Sequence, residues 1–262
     1  MKIMTGRKFP RGMGHDFSGV VEGIGSEVKR FKMGDEVLGV TPVKTSGSFA
    51  ETLTTKGALA IAKPAALSHE DAATLPVAAS TAWTALVQKA RLKPGQSVFI
   101  NGAYGAVGQA ATQIAKALGA SLTGRVAGDA ADAARGIGVD AVLDYRQPIP
   151  PEQYGKFDVV FDTHGGLTVR KESRLSKPGG AILDINSSFA KIVRIFLSRS
   201  RKFVMGKQDE ATMREVVALA AQGKLKISIS RTVPLDRAID LIRSLEGGER
   251  IAGKGFVAVS AQ

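Results

Sequence analysis

Three glycines carry the sharpest chemical signal in this sequence. In VFINGAYGAVGQAATQIAKALGA (98–120), Gly102, Gly105 and Gly108 stand three residues apart, directly after a strand-like run and at the opening of a helix-like one. Glycine at such a turn admits backbone conformations that other residues avoid, and it lets a diphosphate lie against the main chain with no Cβ in the way. The helix behind the turn offers its free N–H groups and the positive end of its dipole to the same anion. Val107, Ala110, Ala111, Ile114, Ala117 and Leu118 form one apolar face of that helix, rich in small side chains that suit close packing on a sheet. The turn reads as a dinucleotide-binding element, against the plainer reading of a strand–turn–helix that binds nothing.

The next strand bears on which dinucleotide. An NAD site places Asp or Glu about 20 residues past the glycines, where it accepts bonds from the ribose 2′-hydroxyl. Here that strand ends at Thr123-Gly124-Arg125. A guanidinium offers no acceptor to a hydroxyl and attracts a 2′-phosphate, so the reading favours NADPH over NADH. Asp129, the nearest carboxylate, follows Gly128 and reads as a helix N-cap.

These residues need a sheet to hold them. From Gly12 to about Lys63 the chain shows short β-like runs, FSGVVEGIG (17–25), GDEVLGV (34–40) and SFAETLTT (48–55), in an irregular antiparallel pattern. Residues 69–90 are Ala-rich with helical spacing, and Pro76 is expected to divide them into two short helices. After Lys93-Pro94-Gly95, strands at 97–100, 121–124, 141–144, 157–162 and 180–186 alternate with helices ending near Gly119, at about 129–136 and around 168–176. Such alternation predicts βαβ units and a parallel sheet. A helix at about 209–222, a strand at 227–233, a helix from Leu235 to Leu245 and a strand at 255–260 complete the chain.

The composition bounds the rest. The 262 residues are 44% hydrophobic and 23% charged, enough for a buried core, and no apolar run reaches membrane-spanning length. There is no cysteine, which excludes disulfides and thiolate ligation of zinc. The opening MKIMTGRKFPRGMGHDF has neither an apolar signal core nor a good amphipathic helix, so a cytoplasmic location is expected. The net charge of +12 favours anionic partners, and it is concentrated. Ten basic against two acidic residues lie between Arg170 and Lys207, a net of +8. Within that stretch, SFAKIVRIFLSRSRKF (188–203) has helical spacing. It reads as a helix packing Phe189, Ile192, Val193 and Phe196 with its basic residues solvated, in preference to a nucleic-acid or membrane-surface helix.

Several motifs taken together resemble a known family. GHDFSGVVEGIGSEVKRFKMGDEVLGV, the KP…AATLP…STAWTAL stretch, NGAYGAVGQ, AVLDY, FDVVFDTHGG, SKPGGAILDIN and GKGFVAVS follow one another in the order seen in the medium-chain dehydrogenase/reductase superfamily. The zinc-independent, quinone-oxidoreductase-like branch is the most similar. The resemblance implies an α/β fold, a doubly wound Rossmann sheet inserted in a GroES-like β domain, with the active-site cleft between them. The expected boundaries are 1–90 for the GroES-like substrate domain, 91–208 for the Rossmann domain and 209–262 for the return to the first. The family carries further strands ahead of the GHDFSG-like segment, where only Met1 to Met13 stand here, so part of the first domain is expected to be missing.

The resemblance also implies hydride transfer from NADPH to a quinone, enone, aldehyde or ketone, and a homodimer. Carried over by position, Gly105, Ala106, Val107 and Gly108 would hold the pyrophosphate, with Gly102 making the turn and Tyr104 covering it. Gly124 and Arg125 would flank the adenosine phosphate, and Tyr145 would lie beside the adenine. Thr163, His164, Gly165 and Asn186 would edge the nicotinamide, and Thr81 would touch the cofactor at the domain junction. No catalytic residue stands out, as expected where the cofactor supplies the hydride. His15 in Gly14-His15-Asp16 resembles a zinc ligand of the alcohol dehydrogenase branch. With no cysteine and only His69 and His164 besides, it reads as structural and no zinc is expected. The rival reading is a non-catalytic NADPH-binding or nucleic-acid-binding relative.

Overall fold

The computed structural model describes residues 12–185, 191, 198 and 200–259. They form two compact units, one holding the residues up to Ser80 together with those from Lys207 onward, the other Thr81–Gly206.

The first unit begins with an antiparallel sheet of β1 (Asp16–Val20), β2 (Glu36–Val40) and β3 (Ala60–Ala62), paired in that order. Alternation along β1 and β2 sends Phe17 and Val37 inward, where they cluster with Ala60 and with Val21, Phe31 and Leu53. The 48–55 segment, expected as a strand, is not one: Leu53 reaches this core, but the backbone of Ser48 and Phe49 bonds Gly14 and Met13 in a loop. The strand that completes the sheet is the shorter β3.

Helix α1 (His69–Trp83) runs through Pro76 without dividing. The N–H of Val77 donates to Asp16 Oδ1 at 3.0 Å, so a main-chain group beside the proline finds a partner from β1. The wide turn Thr84–Ala90 continues the helix and ends at Arg91, whose left-handed backbone (φ 54) returns its N–H to Leu86.

The second unit is a six-stranded sheet. Its strands are β4 (Ser97–Asn101), β5 (Ser121–Val126), β6 (Ala141–Asp144), β7 (Phe157–Asp162), β8 (Ser176–Asp184) and β9 (Arg201–Phe203), and every pairing is parallel. Helices α2 (Ala106–Ala117), α3 (Ala131–Gly136) and α4 (Val169–Leu175) connect them. The spatial order β6-β5-β4-β7-β8-β9 is the 3-2-1-4-5-6 order of a Rossmann sheet. Right-handed crossovers in opposite directions from β4 put helices on both faces and open a crevice beyond the strands' carboxyl ends. Phe99, Phe157, Val160, Leu175 and Ile182 are buried together in one core cluster. Asp129 sits in a short 3-10 turn ahead of α3 and makes no side-chain cap, a departure from the expected N-cap.

The chain then returns to the first unit with α5 (Glu210–Ala221), β10 (Ile229–Pro234), α6 (Ala238–Glu246) and β11 (Lys254–Ala258), the two strands pairing in parallel. Asp209 caps α5 by accepting the N–H of Thr212 at 2.9 Å. Lys254 of β11 pairs with Asp16 of β1, closing the unit across 238 residues of sequence.

Candidate nucleotide-binding site

The three glycines of the turn do different things. Gly102 follows β4 with φ +81, donates its N–H to Arg125 O at 2.8 Å, and would push a Cβ to 2.8 Å from Thr163 Oγ1. Gly108 lies in the first turn of α2, where a Cβ would stand 2.0 Å from Gly102 O. Both are demanded by the fold. Gly105 is not: it is exposed, its backbone is ordinary (φ −75, ψ 170), and a Cβ there meets no atom closer than 3.6 Å. It is the N-cap of α2 and offers no side-chain cap, so the opening N–H groups at Ala106, Val107 and Gly108 lack intrahelical acceptors. A cradle that a Cβ would fill, with donors behind it, fits a diphosphate. Tyr104 is half-buried beside it, its carbonyl held by Gln109 Nε2 at 3.0 Å.

Arg125 ends the neighbouring strand. Its Nη2 donates to Tyr145 O at 2.6 Å and Gln147 O at 3.2 Å, so the guanidinium leans on the loop after β6. Its Nε is buried with no partner, and Nη1 makes no hydrogen bond among the described residues. Burial pulls Arg125 below its ordinary pKa, against the opposing charges of Asp144 and Asp162. Arg146, which the sequence reading passed over, grips Asp144 with both Nε and Nη2. Tyr145, whose carbonyl Arg125 holds, is exposed. Gly124 is accounted for by packing, since a Cβ would come within 2.9 Å of both Val139 and Ala103.

At the end of β7, Asp162 ties the crevice together. Its Oδ1 accepts Asn101 Nδ2 at 2.8 Å and the N–H groups of His164 and Gly165 at 3.2 and 2.8 Å. Its Oδ2 accepts the Leu167 N–H at 3.0 Å and Lys191 Nζ at 2.9 Å. Burial pushes this carboxyl upward, yet Asn101, Lys191 and the Leu167 N–H outweigh it and hold the pKa below its usual range. Thr163 Oγ1 donates to Asn101 O at 2.7 Å, so β4 and the 163–167 loop are joined twice.

Behind that loop lies a buried charge cluster. Lys191 Nζ also donates to Asp184 Oδ1 at 2.6 Å and to Glu172 Oε1, while Arg201 Nη1 takes Glu172 Oε2 at 2.5 Å. Burial raises Glu172 to about 7 although both cations pull the other way. Lys191 and Arg201 were expected to be solvated; both are buried, because three carboxylates on neighbouring elements need them. Most of the rest of 188–203 lies outside the described residues, as does Asn186. Thr81 is buried in α1, in the second unit.

Comparison with known proteins agrees with this geometry. Residues 1–77 match the family model of the alcohol dehydrogenase GroES-like domain, and residues 137–254 that of zinc-binding dehydrogenases. A quinone-oxidoreductase homologue of the Spinacia oleracea chloroplast is 32% identical over 95% of this chain and 80% of its own length. The chain belongs to the medium-chain dehydrogenase/reductase superfamily, in its quinone-oxidoreductase-like branch. The quinone oxidoreductase of Coxiella burnetii superposes with a TM-score of 0.84 at 26% identity, covering 97% of this chain and 80% of that one. Human mitochondrial NAD(P)H oxidoreductase RTN4IP1 is 39% identical over 63% of this chain, a match that spans 43% of the relative's length.

Among the described residues, none of His15, His69 and His164 belongs to a cluster of metal-ligating side chains. His15 Nε2 lies 3.1 Å from Ser46 Oγ, and His69 bridges Ser18 and Glu36. Among the described residues only Asp162, Glu172 and Asp184 converge as a possible ligand group, and the Lys191 ammonium lies among them. Asp16 of the Gly-His-Asp motif is engaged by Val77 and Lys254.

Proposed function

We propose that this medium-chain dehydrogenase/reductase is a zinc-independent oxidoreductase that binds NADPH and reduces a quinone, enone, aldehyde or ketone. The observation that carries the reading is Gly105, a glycine with neither a backbone nor a packing reason to be one, at the mouth of an uncapped helix. Relatives named for NAD(P)H and quinone oxidoreduction support the class.

In this reading the main chain from Gly105 to Gly108, with Gly102 and Tyr104, holds the diphosphate. Arg125 and Gly124 flank the adenosine phosphate, with Arg146 as a second cation and Tyr145 beside the adenine. Thr163, His164, Gly165 and Asn186 edge the nicotinamide, and Thr81 contacts the cofactor. Bound NADPH supplies a hydride. The chain's own work is to hold the ring by a loop that Asp162 fixes, and to surround it with dipoles that do not reorganise. The reading keeps the 1–90, 91–208 and 209–262 division, a homodimer and a cytoplasmic location as further proposals, which light scattering and cell fractionation test.

Separate titrations with NADPH and NADH test it first. Micromolar affinity for NADPH is expected, with NADH weaker. Arg125→Asp should weaken NADPH by about tenfold to a hundredfold, as expected for a lost charge-assisted bond, and NADH far less. Equal losses would remove the phosphate assignment. Folded protein that ignores both nucleotides at millimolar concentration would remove the whole reading.

A further inference from the structure

Three carboxylates from three elements converge on one ammonium. Asp162 ends β7, Glu172 lies in α4 and Asp184 ends β8; all are fully buried, and Lys191 Nζ contacts each of them. Balancing charge alone would make Lys191 a structural cation. Its bond to Asp162 adds something else. Asn101 holds one oxygen of that carboxylate from β4, and Lys191 holds the other at 2.9 Å. The N–H groups of His164, Gly165 and Leu167 hang from the carboxylate so fixed. The Leu167 side chain is sunk in the core with Phe99 and Leu175, which anchors the far end of the loop. Among the described residues, Lys191 is the cation paired with Asp162.

We propose that Lys191 is a positioning residue: through the Asp162 carboxylate it sets where the 163–167 loop presents its backbone to the nicotinamide end of the dinucleotide. This rests on the assignment of that loop under the proposed function. Without the ammonium, Asp162 keeps Asn101 on one side only and can rotate, and the three N–H groups lose a fixed acceptor.

Lys191→Met keeps the side-chain length but leaves the cluster a second uncompensated negative charge, so it is expected to destabilise the fold. The double variant Lys191→Met with Asp184→Asn restores the wild-type charge balance and is the informative one. It should melt near the wild type, while amide exchange at 164–167 quickens by about tenfold or more and the amides of β4 and β7 are unaffected. It should also bind NADPH about tenfold more weakly, yet bind 2′,5′-adenosine bisphosphate, which has no nicotinamide, as the wild type does. Unchanged exchange in the folded double variant overturns the positioning role. Faster exchange with equal or no loss for NADPH and the fragment overturns the link to the ring. Wild-type protein that binds no nucleotide overturns the proposed function instead, a failure distinguishable because the exchange measurement needs no ligand.

Discussion

The cluster of Asp162, Glu172 and Asp184 holds one negative charge more than Lys191 and Arg201 neutralise, and a proton on Glu172 removes it. Its carboxyl titrates near 7 in the folded chain against an ordinary 4.5, burial being the main cause. The folded state therefore holds this proton more tightly than the unfolded one. That contribution to stability is complete below pH 4.5 and is lost as the pH rises to about 7, on the order of 3 kcal/mol in all. Melting temperatures taken from pH 5 to 8 should fall for the wild type relative to Glu172→Gln; parallel curves would contradict this. The glycine spacing and Arg125 were legible because their meaning is local. Lys191 was not, since its partners lie 7 to 29 residues away and helical spacing alone gave its charge to solvent.

Most strands of the nucleotide unit were easy to read as short runs alternating with helices, but β9 (Arg201–Phe203) falls in a stretch whose spacing reads as helical. AVLD and FDVVFD occupy β6 and β7 to the residue. The β-rich start was harder. Alternation in 48–55 reflects Leu53 reaching a core from a loop, and Pro76 was overridden by a carboxylate on another strand. At the turn opening α2, two glycine variants separate fold from ligand. Gly108→Ala forces a Cβ into Gly102 O and should lower the melting temperature by several degrees. Gly105→Ala should leave the ligand-free melting curve within about a degree, because its Cβ meets Gly102 O at an ordinary contact distance of 3.6 Å, while weakening NADPH by about tenfold. Calorimetry with and without nucleotide reads both.

At the scale of the whole chain, the two units follow different rules. The sheet of the second is continuous in sequence, so alternation alone pointed to parallel βαβ units, while the doubly wound order followed from the family resemblance. The first is assembled from segments on either side of it, and no local pattern announces that β11 returns to β1. The Lys254–Asp16 pair makes that return, with both side chains largely buried. Lys254→Met leaves Asp16, among the described residues, with the Val77 N–H alone and should cost on the order of 2 kcal/mol, read in the denaturant transition of the first unit and not the second.

That divided unit has a consequence for biosynthesis. A ribosome delivers every residue of the nucleotide sheet before it reaches Lys207, so this sheet can close while the earlier β segment still waits for the later half of its own unit. Until translation brings out Lys254, Asp16 lacks the cation it pairs with among the described residues, and β10 lacks its partner strand β11. Stalled or prematurely terminated chains should accordingly carry a protease-resistant middle and a digestible beginning.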